Sequence, residues 1–281
     1  MNVARLIANA IGVEPTRTQA LGGGCVGEVY RLDFADGDSL VAKVDRATEG
    51  KLHIEGFMLE FLAPHLPVPE VVHAAPDLLV MRFVDGGSSF SASAEEHAAE
   101  LLANLHGVSA EGFGFERDTL IGGLHQPNPR SSAWLPFFAE HRLSSMAAEA
   151  HAHGRLSASL RARVDALAAK LSELLGEPAA PALLHGDVWS GNVLARGNRI
   201  TAFLDPAIYF GHPEVELAFI TMFRTFGERF FAAYEEVRQV DPGFMEERRH
   251  VYNLYPYLVH VRLFGGSYVA SVEGVLSRFG C

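Results

Sequence analysis

Two cysteines in 281 residues, Cys25 and Cys281, leave no material for a disulfide framework and point to a reducing compartment. No apolar run approaches the roughly 20 residues needed to cross a bilayer. The start, Met1-Asn-Val-Ala-Arg-Leu6, carries no apolar core of the secretory kind, so a cytoplasmic protein with no membrane partner is expected. Basic residues are also short: 23 Lys and Arg stand against 34 Asp and Glu, a net charge of −11 with no local basic patch. That balance argues against nucleic-acid or anionic-membrane partners. Tandem repeats and low-complexity tracts are missing too; Ser88-Ser-Phe-Ser-Ala-Ser93 comes nearest and reads as a loop. What remains is an ordinary globular composition, long enough for one large domain or two lobes.

The chemistry concentrates in Leu183-Leu-His-Gly-Asp-Val-Trp-Ser-Gly-Asn-Val193, taken together with Asp205. Val193-Leu-Ala195, a polar turn Arg196-Gly-Asn-Arg199 and Ile200-Thr-Ala-Phe-Leu204 form a hairpin, which returns Asp205 to the side from which Asn192 enters. A carboxylate and an amide oxygen suit Mg2+, which takes few protein ligands and shares its shell with water and phosphate. The H-x-D-x-x-x-x-N pattern followed by a second Asp is how kinase-type phosphotransferases place a catalytic Asp and a metal site. A solvated turn with a capping Asp is the plain alternative. The three residue types at these spacings, between apolar strands, favour Asp187 as catalytic base with Asn192 and Asp205 as metal ligands.

A nucleotide site must then lie upstream. Leu21-Gly-Gly-Gly-Cys-Val-Gly-Glu-Val-Tyr30 fits G-x-G-x-x-G-x-V through Gly22, Gly24, Gly27 and Val29. A dinucleotide-binding turn would follow a strand and open a helix. Here the glycines lead into an alternating strand, Val29 to Phe34, an Ala35–Ser39 turn and a second strand, Leu40 to Val44. Glycines inside an antiparallel hairpin are the kinase arrangement, so Gly22, Gly23, Gly24, Cys25, Val26 and Gly27 are expected over the phosphates. Lys43 is then the strand lysine that meets phosphate, and a helix over Leu52 to His65 supplies its acidic partner. Glu55 shares the apolar stripe of Met58, Leu59 and Leu62, whereas Glu60 points elsewhere. Strands Val71-Val72 and Leu78 to Val84 follow. Backbone groups at Arg82, Phe83 and Val84 are expected at the adenine edge, just before the Asp85-Gly-Gly-Ser-Ser composition shift.

The expected fold is α+β: a protein-kinase-like bilobal fold whose N-terminal lobe, 1–84, is an antiparallel β-sheet with one inward helix. The C-terminal lobe, 85–281, is mainly α-helical. Helical spacing predicts helices over 2–12, 94–106, 131–152, 157–176, 215–226, 228–239 and 243–264. Tyr252, Tyr255 and Phe264 in the last of these read as core. The loop Leu120-Ile-Gly-Gly-Leu-His-Gln-Pro-Asn128 reads as a substrate loop or a plain surface connection. The segment after Asp205 passes directly through Pro206–Glu214 into a helix, leaving little room for a peptide groove and favouring a small substrate.

These residues also resemble a family. His185-Gly-Asp-Val-Trp-Ser-Gly-Asn192 followed by Asp205-Pro-Ala-Ile-Tyr-Phe-Gly-His-Pro-Glu-Val-Glu-Leu-Ala218 is similar to the fructosamine kinase (ketosamine 3-kinase) family, within the aminoglycoside phosphotransferase and choline kinase superfamily. Gly22–Gly27, Ile121–Asn128 and Trp134-x-x-Phe-Phe-x-x-x-Arg142 extend the likeness over most of the chain. Two departures are small: Val188 stands where Leu is frequent, and Glu216 where Asp is frequent.

The resemblance implies ATP-dependent phosphorylation of the 3-hydroxyl of a ketosamine, free or on a glycated protein lysine, followed by elimination that frees the amine. In that frame Asp187 takes the hydroxyl proton, Asn192 and Asp205 hold Mg2+, and Lys43, fixed by Glu55, neutralises phosphate charge. Trp189 either stacks on the sugar or belongs to the core. His185 orders the loop or touches substrate, and Asn128 is a substrate-loop candidate. His212, Glu214 and Glu216 either brace the loop after Asp205 or meet the amine. Cys25 is either inert or the site of a disulfide-linked homodimer. Rival readings are a kinase for an aminoglycoside or choline-like substrate and a nucleotide-binding pseudokinase; the second needs one of Lys43, Asp187, Asn192 or Asp205 missing, and all four are present.

Overall fold

The computed structural model describes residues 3–22, 27–46 and 50–281. The chain runs α1 (Val3–Ile11), β1 (Arg17–Leu21), β2 (Glu28–Asp33), β3 (Ser39–Val44), α2 (Leu52–Leu62), β4 (Val71–Ala75) and β5 (Leu78–Arg82). The strands make one antiparallel sheet in the order β1-β2-β3-β5-β4. Apolar residues at every second position of β2 and β3 put Leu32, Leu40 and Ala42 on one buried face, where α1 covers them through Ile7. The other face receives α2, which buries Leu52, Glu55, Met58, Leu59 and Leu62. β1 was not expected: Arg17-Thr-Gln-Ala-Leu21 is exposed along almost its whole length, so no burial pattern marks it. It is an edge strand held by its ladder to β2.

The remainder is mostly helical: α3 (Ala92–Leu105), α4 (Trp134–Phe138), α5 (Ser145–Ala152), α6 (Ala158–Ala168), α7 (Leu171–Leu174), α8 (Pro213–Phe223), α9 (Glu228–Val237), α10 (Arg249–Phe264) and α11 (Tyr268–Arg278). Short antiparallel pairs punctuate it: β6 (Thr119–Ile121) with β7 (Leu124–Gln126), β8 (Ala182–Leu184) with β11 (Tyr209–Gly211), and β9 (Val193–Arg196) with β10 (Arg199–Phe203). The expected 131–152 helix is interrupted by a π-helical turn at Ala139–Ser144, and the 157–176 helix breaks at Lys170 into α6 and α7. The 243–264 helix begins with a π-helical turn, Phe244–Arg248, before α10. Neither π-helical turn nor α11 was expected.

Ser91 and Ser157 cap α3 and α6 by accepting the amides of Ala94 and Leu160. Phe264 is half exposed, not core; Tyr252 and Tyr255 are buried. After β5 the chain pairs with the catalytic hairpin itself: Gly87 and Ala195 exchange both backbone hydrogen bonds at 2.9 Å. The sheet-bearing part is thereby tied to the hairpin that ends at Asp205.

Candidate active site

The catalytic segment lies between β8 and β9. Gly186 takes φ +87°, and a Cβ there would stand 2.2 Å from the Ala207 carbonyl oxygen, so only glycine fits. His185 is fully buried; its Nδ1 accepts the Asp187 amide at 3.3 Å, and its backbone oxygen takes the Ala207 amide at 2.7 Å. It orders the loop and stands outside the pocket. Asn192 closes the loop by donating its side-chain amide to the Asp187 carboxylate at 2.8 Å and backbone oxygen at 3.0 Å. Burial, then the nearby Asp205 charge, push the Asp187 carboxyl up to about 8, with the Asn192 bond opposing them.

The β9–β10 hairpin does what its turn residues foretold. The Leu204 amide donates to the Asn192 oxygen at 2.8 Å, so Asp205 emerges beside Asn192. Asp205 sits in the left-handed region at φ 52°, a strained state for a non-glycine residue and one that concentrates at functional sites. Its Oδ1 accepts from Lys43 Nζ at 2.5 Å, and Glu55 Oε1 accepts from the same ammonium at 2.6 Å. Lys43 and Glu55 are both buried. Burial alone would depress the Lys43 pKa, but the two carboxylates outweigh it and hold the ammonium charged. One of its three N–H donors is left over from these two bonds.

Among the described residues no group of three or more His, Cys, Asp or Glu is arranged to hold a metal ion. The Asn192 and Asp205 pair still fits Mg2+. The Asn192 nitrogen is committed to Asp187, which turns its oxygen outward, and the Asp205 side chain is 37% exposed.

At the nucleotide end, Gly22 is exposed, and Gly27 has φ +73° with a notional Cβ 2.6 Å from the Val44 carbonyl oxygen. Gly23, Gly24, Cys25 and Val26, the remaining loop candidates, lie outside the described residues. Of the three hinge candidates, Arg82 and Phe83 spend their amides on Glu70 and Ser39 at 2.8 and 3.1 Å. Arg82 also pairs with Asp38 at 2.5 Å, and Arg31 lies 4.2 Å over the Phe83 ring. Of these three, Val84 is the one whose amide has no hydrogen-bond acceptor among the described residues.

A pocket of about 270 Å³ opens on the other side of Asp187. Trp189, 37% exposed, forms one wall; its ring lies over Gly191 and packs on Phe223 at 5.7 Å between centroids. Asn128, His212 and Glu214 do not line this pocket and are engaged elsewhere. Asn128 is buried and accepts the fully buried Arg142 guanidinium at 2.6 Å. His212 caps α8 by accepting the Glu214 amide at 3.1 Å, and Glu214 receives Arg248 in a two-pronged pair at 2.8 and 2.6 Å.

The bracing role falls most directly on Glu216. Its side chain, fully buried in the first turn of α8, accepts the Gly186 amide at 2.6 Å, the His185 amide at 3.4 Å and His106 Nε2–H at 2.9 Å. His106 Nδ1 in turn meets the Tyr234 hydroxyl at 2.6 Å. Burial works to raise the Glu216 pKa, yet these donors carry it below the usual carboxylate range. Sequence reasoning missed His106, the C-cap of α3, and Tyr234 on α9, both far from the motif in the chain.

Comparison with known proteins agrees with this geometry. The family model described as fructosamine kinase matches residues 1–279. A probable ketoamine kinase of Synechocystis sp. is 34% identical, the match covering 98% of this chain and 95% of that one. The chloroplastic protein-ribulosamine 3-kinase of Arabidopsis thaliana is 32% identical over 94% of this chain and 82% of its own. A crystal structure from Thermobifida fusca, provisionally assigned as a fructosamine-3-kinase, superposes with TM-score 0.86 at 31% identity and covers 98% of this chain and 99% of its own. An aminoglycoside phosphotransferase in ternary complex with ADP and hygromycin B shares the fold, with TM-score 0.69 at 19% identity and full coverage of both chains.

Proposed function

This chain belongs to the fructosamine kinase family, and on that premise we propose that it transfers the γ-phosphoryl group of ATP to the 3-hydroxyl of a ketosamine. The substrate is a sugar carried on an amine as a free small molecule or on a glycated protein lysine. The phosphorylated product then loses phosphate by elimination and releases the amine, which makes the reaction a deglycation step. The observation that carries this reading is the position of Asp187. Its carboxylate lines a pocket large enough for a sugar, and its partner Asn192 leads through the β9–β10 hairpin to Asp205, which accepts from the charged Lys43 ammonium. We assign the sheet-bearing part, residues 1–84, to nucleotide phosphate binding and residues 85–281 to catalysis and the acceptor, in a cytoplasmic enzyme.

In this reading the Asp187 carboxylate accepts the proton of the 3-hydroxyl and orients its oxygen toward the γ-phosphorus, while Asn192 holds that carboxylate still. Lys43, kept charged and fixed by Glu55, offers its remaining N–H to phosphate oxygens, and the Val84 amide meets the adenine edge. Asn192 and Asp205 would hold Mg2+, which when bound neutralises phosphate charge. Trp189 covers the apolar face of the sugar. Positioning and electrostatics supply most of the rate in such transfers, which is why the loop's hydrogen bonds matter as much as the base.

The test is ATP consumption with Mg2+ against ribuloselysine, fructoselysine, kanamycin and choline, with Asp187→Ala as the blank. Turnover on a ketosamine alone supports the proposal and ranks the sugars. Turnover only on kanamycin or choline removes the ketosamine assignment while leaving the transfer mechanism; none at all removes both.

A further inference from the structure

Beyond Asp187 and Trp189 the pocket continues as an arm between α8 and α10 and up to the start of α11. Its wall is a chain of touching rings. Phe223 packs on Trp189 at 5.7 Å, His260 on Phe223 at 5.3 Å, and Tyr268 on His260 at 4.7 Å, with Phe264 5.6 Å from His260 at the outer end. Val259 and Leu263 line the same arm. Rings that served only packing would be closed over. Here Phe264 is 51% exposed, and the wall faces open volume continuous with the catalytic carboxylate.

The arm's chemistry is selective. Among the described residues its lining contains no lysine or arginine, and its carboxylates there, Asp187 and Glu216, belong to the loop after β8 and its brace. His260 contributes no fixed cation: burial lowers its pKa, opposed only by the Pro256 carbonyl oxygen, which accepts from Nδ1–H at 2.7 Å. A carboxylate entering here would lose its hydration without gaining a partner. A hydrocarbon chain would gain burial along its length.

Resting on the ketosamine reading above, we propose that this arm holds the amine's substituent and selects ketosamines whose nitrogen bears a hydrophobic chain. N-alkyl and N-aralkyl adducts fit, as does the methylene stem of a glycated lysine, whose remaining peptide would leave past the exposed Phe264. Adducts of α-amino groups, which place a carboxylate one carbon from the nitrogen, do not fit. The occupant is argued from continuity: a sugar whose 3-hydroxyl reaches Asp187 and whose ring lies on Trp189 has this arm as a neighbouring apolar exit.

The experiment compares kcat/KM for one ketose carried on methylamine, hexylamine, benzylamine and glycine, in the wild type and in Tyr268→Ala and Leu263→Lys. Wild type is expected to favour the hexyl and benzyl adducts over the methyl adduct by roughly tenfold or more, mainly through KM, as burial of a few methylenes implies. The glycine adduct should fall below the methyl one. Tyr268→Ala should shrink the hexyl-to-methyl ratio to within about threefold. Leu263→Lys, which places an ammonium in the arm, should raise the glycine adduct relative to the hexyl one. Equal kcat/KM across the four adducts in the wild type, or ratios untouched by both variants, would overturn this inference while leaving the ketosamine function standing. No turnover on any ketosamine would overturn that function and the inference with it.

Discussion

Replacing Glu216 separates the brace from the catalytic residues, because its side chain touches neither nucleotide nor acceptor hydroxyl in the reading above. Glu216→Ala strands the His106 Nε2–H in a dry interior and leaves the Gly186 amide, at the partly exposed pocket wall, without its acceptor. At about 1–3 kcal/mol for an unsatisfied buried donor, and less for the amide that water can reach, the loss of stability should be about 2–3 kcal/mol. Freed at Gly186, the loop no longer holds Asp187 in place, and a misplacement of about 1 Å costs on the order of 100-fold in kcat. Glu216→Gln is milder. Its amide oxygen can keep the Gly186 bond, and its NH2 can face His106 if the imidazole moves its proton to Nδ1 and donates to Tyr234 oxygen. Exchanging charged for neutral hydrogen bonds should then cost about 1–2 kcal/mol and less than about tenfold in kcat. The pH dependence follows from the lowered Glu216 pKa. A carboxylate depressed on folding stabilises above its unfolded value, near 4.5, and that contribution fades as pH falls through the folded value. The stability gap between wild type and Glu216→Gln, measured by urea unfolding from pH 7 to pH 4, should therefore narrow toward acid. Full activity in Glu216→Ala, or a gap that widens toward acid, would refute the bracing argument.

Other substitutions test the parts in turn. Asp187→Asn should abolish turnover while leaving ATP affinity, read by calorimetry, within about threefold, since the base is asked to act on the acceptor only; loss of nucleotide binding instead would contradict that division of roles. Lys43→Met leaves the buried Glu55 carboxylate with no cation and should cost about 3–5 kcal/mol; adding Glu55→Gln should recover much of that stability in thermal unfolding, but none of the activity. Gly191→Ala puts a Cβ 2.4–2.8 Å from three ring carbons of Trp189. The ring must shift, so the ketosamine KM should rise about tenfold with the KM for ATP unchanged; a rise in both would place Trp189 outside the acceptor site.

The reach of the sequence follows the distance over which its signals act. Asp187, Asn192 and Asp205 were legible because one hairpin with unambiguous turn residues sets their positions. Glu55 was legible because helical periodicity puts it on the stripe of Met58, Leu59 and Leu62. β1 was not, because an exposed edge strand displays neither alternation nor apolar density. Nor was the ring chain of Phe223, His260 and Tyr268: an aromatic residue lining a cavity has the same helical spacing as one filling a core, and only the packing around it tells them apart. For Asn128 and Glu214 the sequence left two readings open, substrate contact or a structural role. Their real partners, Arg142 and Arg248, approach from elements that no local pattern connects to those loops.

The same distinction bears on what the motif alone can guarantee. Four of the eight positions from His185 to Asn192 are held by hydrogen bonds from outside the motif: His185 and Gly186 by Glu216, the His185 oxygen by Ala207, the Val188 oxygen by the Thr225 hydroxyl at 3.5 Å, and the Asn192 backbone oxygen by Leu204. Glu216 itself depends on His106, which depends on Tyr234. In the proposed mechanism the four residues Lys43, Asp187, Asn192 and Asp205 are therefore insufficient on their own for the rate of transfer. A relative that kept all four but carried an apolar residue in place of Glu216 would still present charge to a nucleotide through Lys43, whose partners Glu55 and Asp205 do not pass through this network. It would lose the placement of the base. Such a chain would bind ATP and turn it over poorly, so activity in this family is better judged from the loop and its supports together than from the motif.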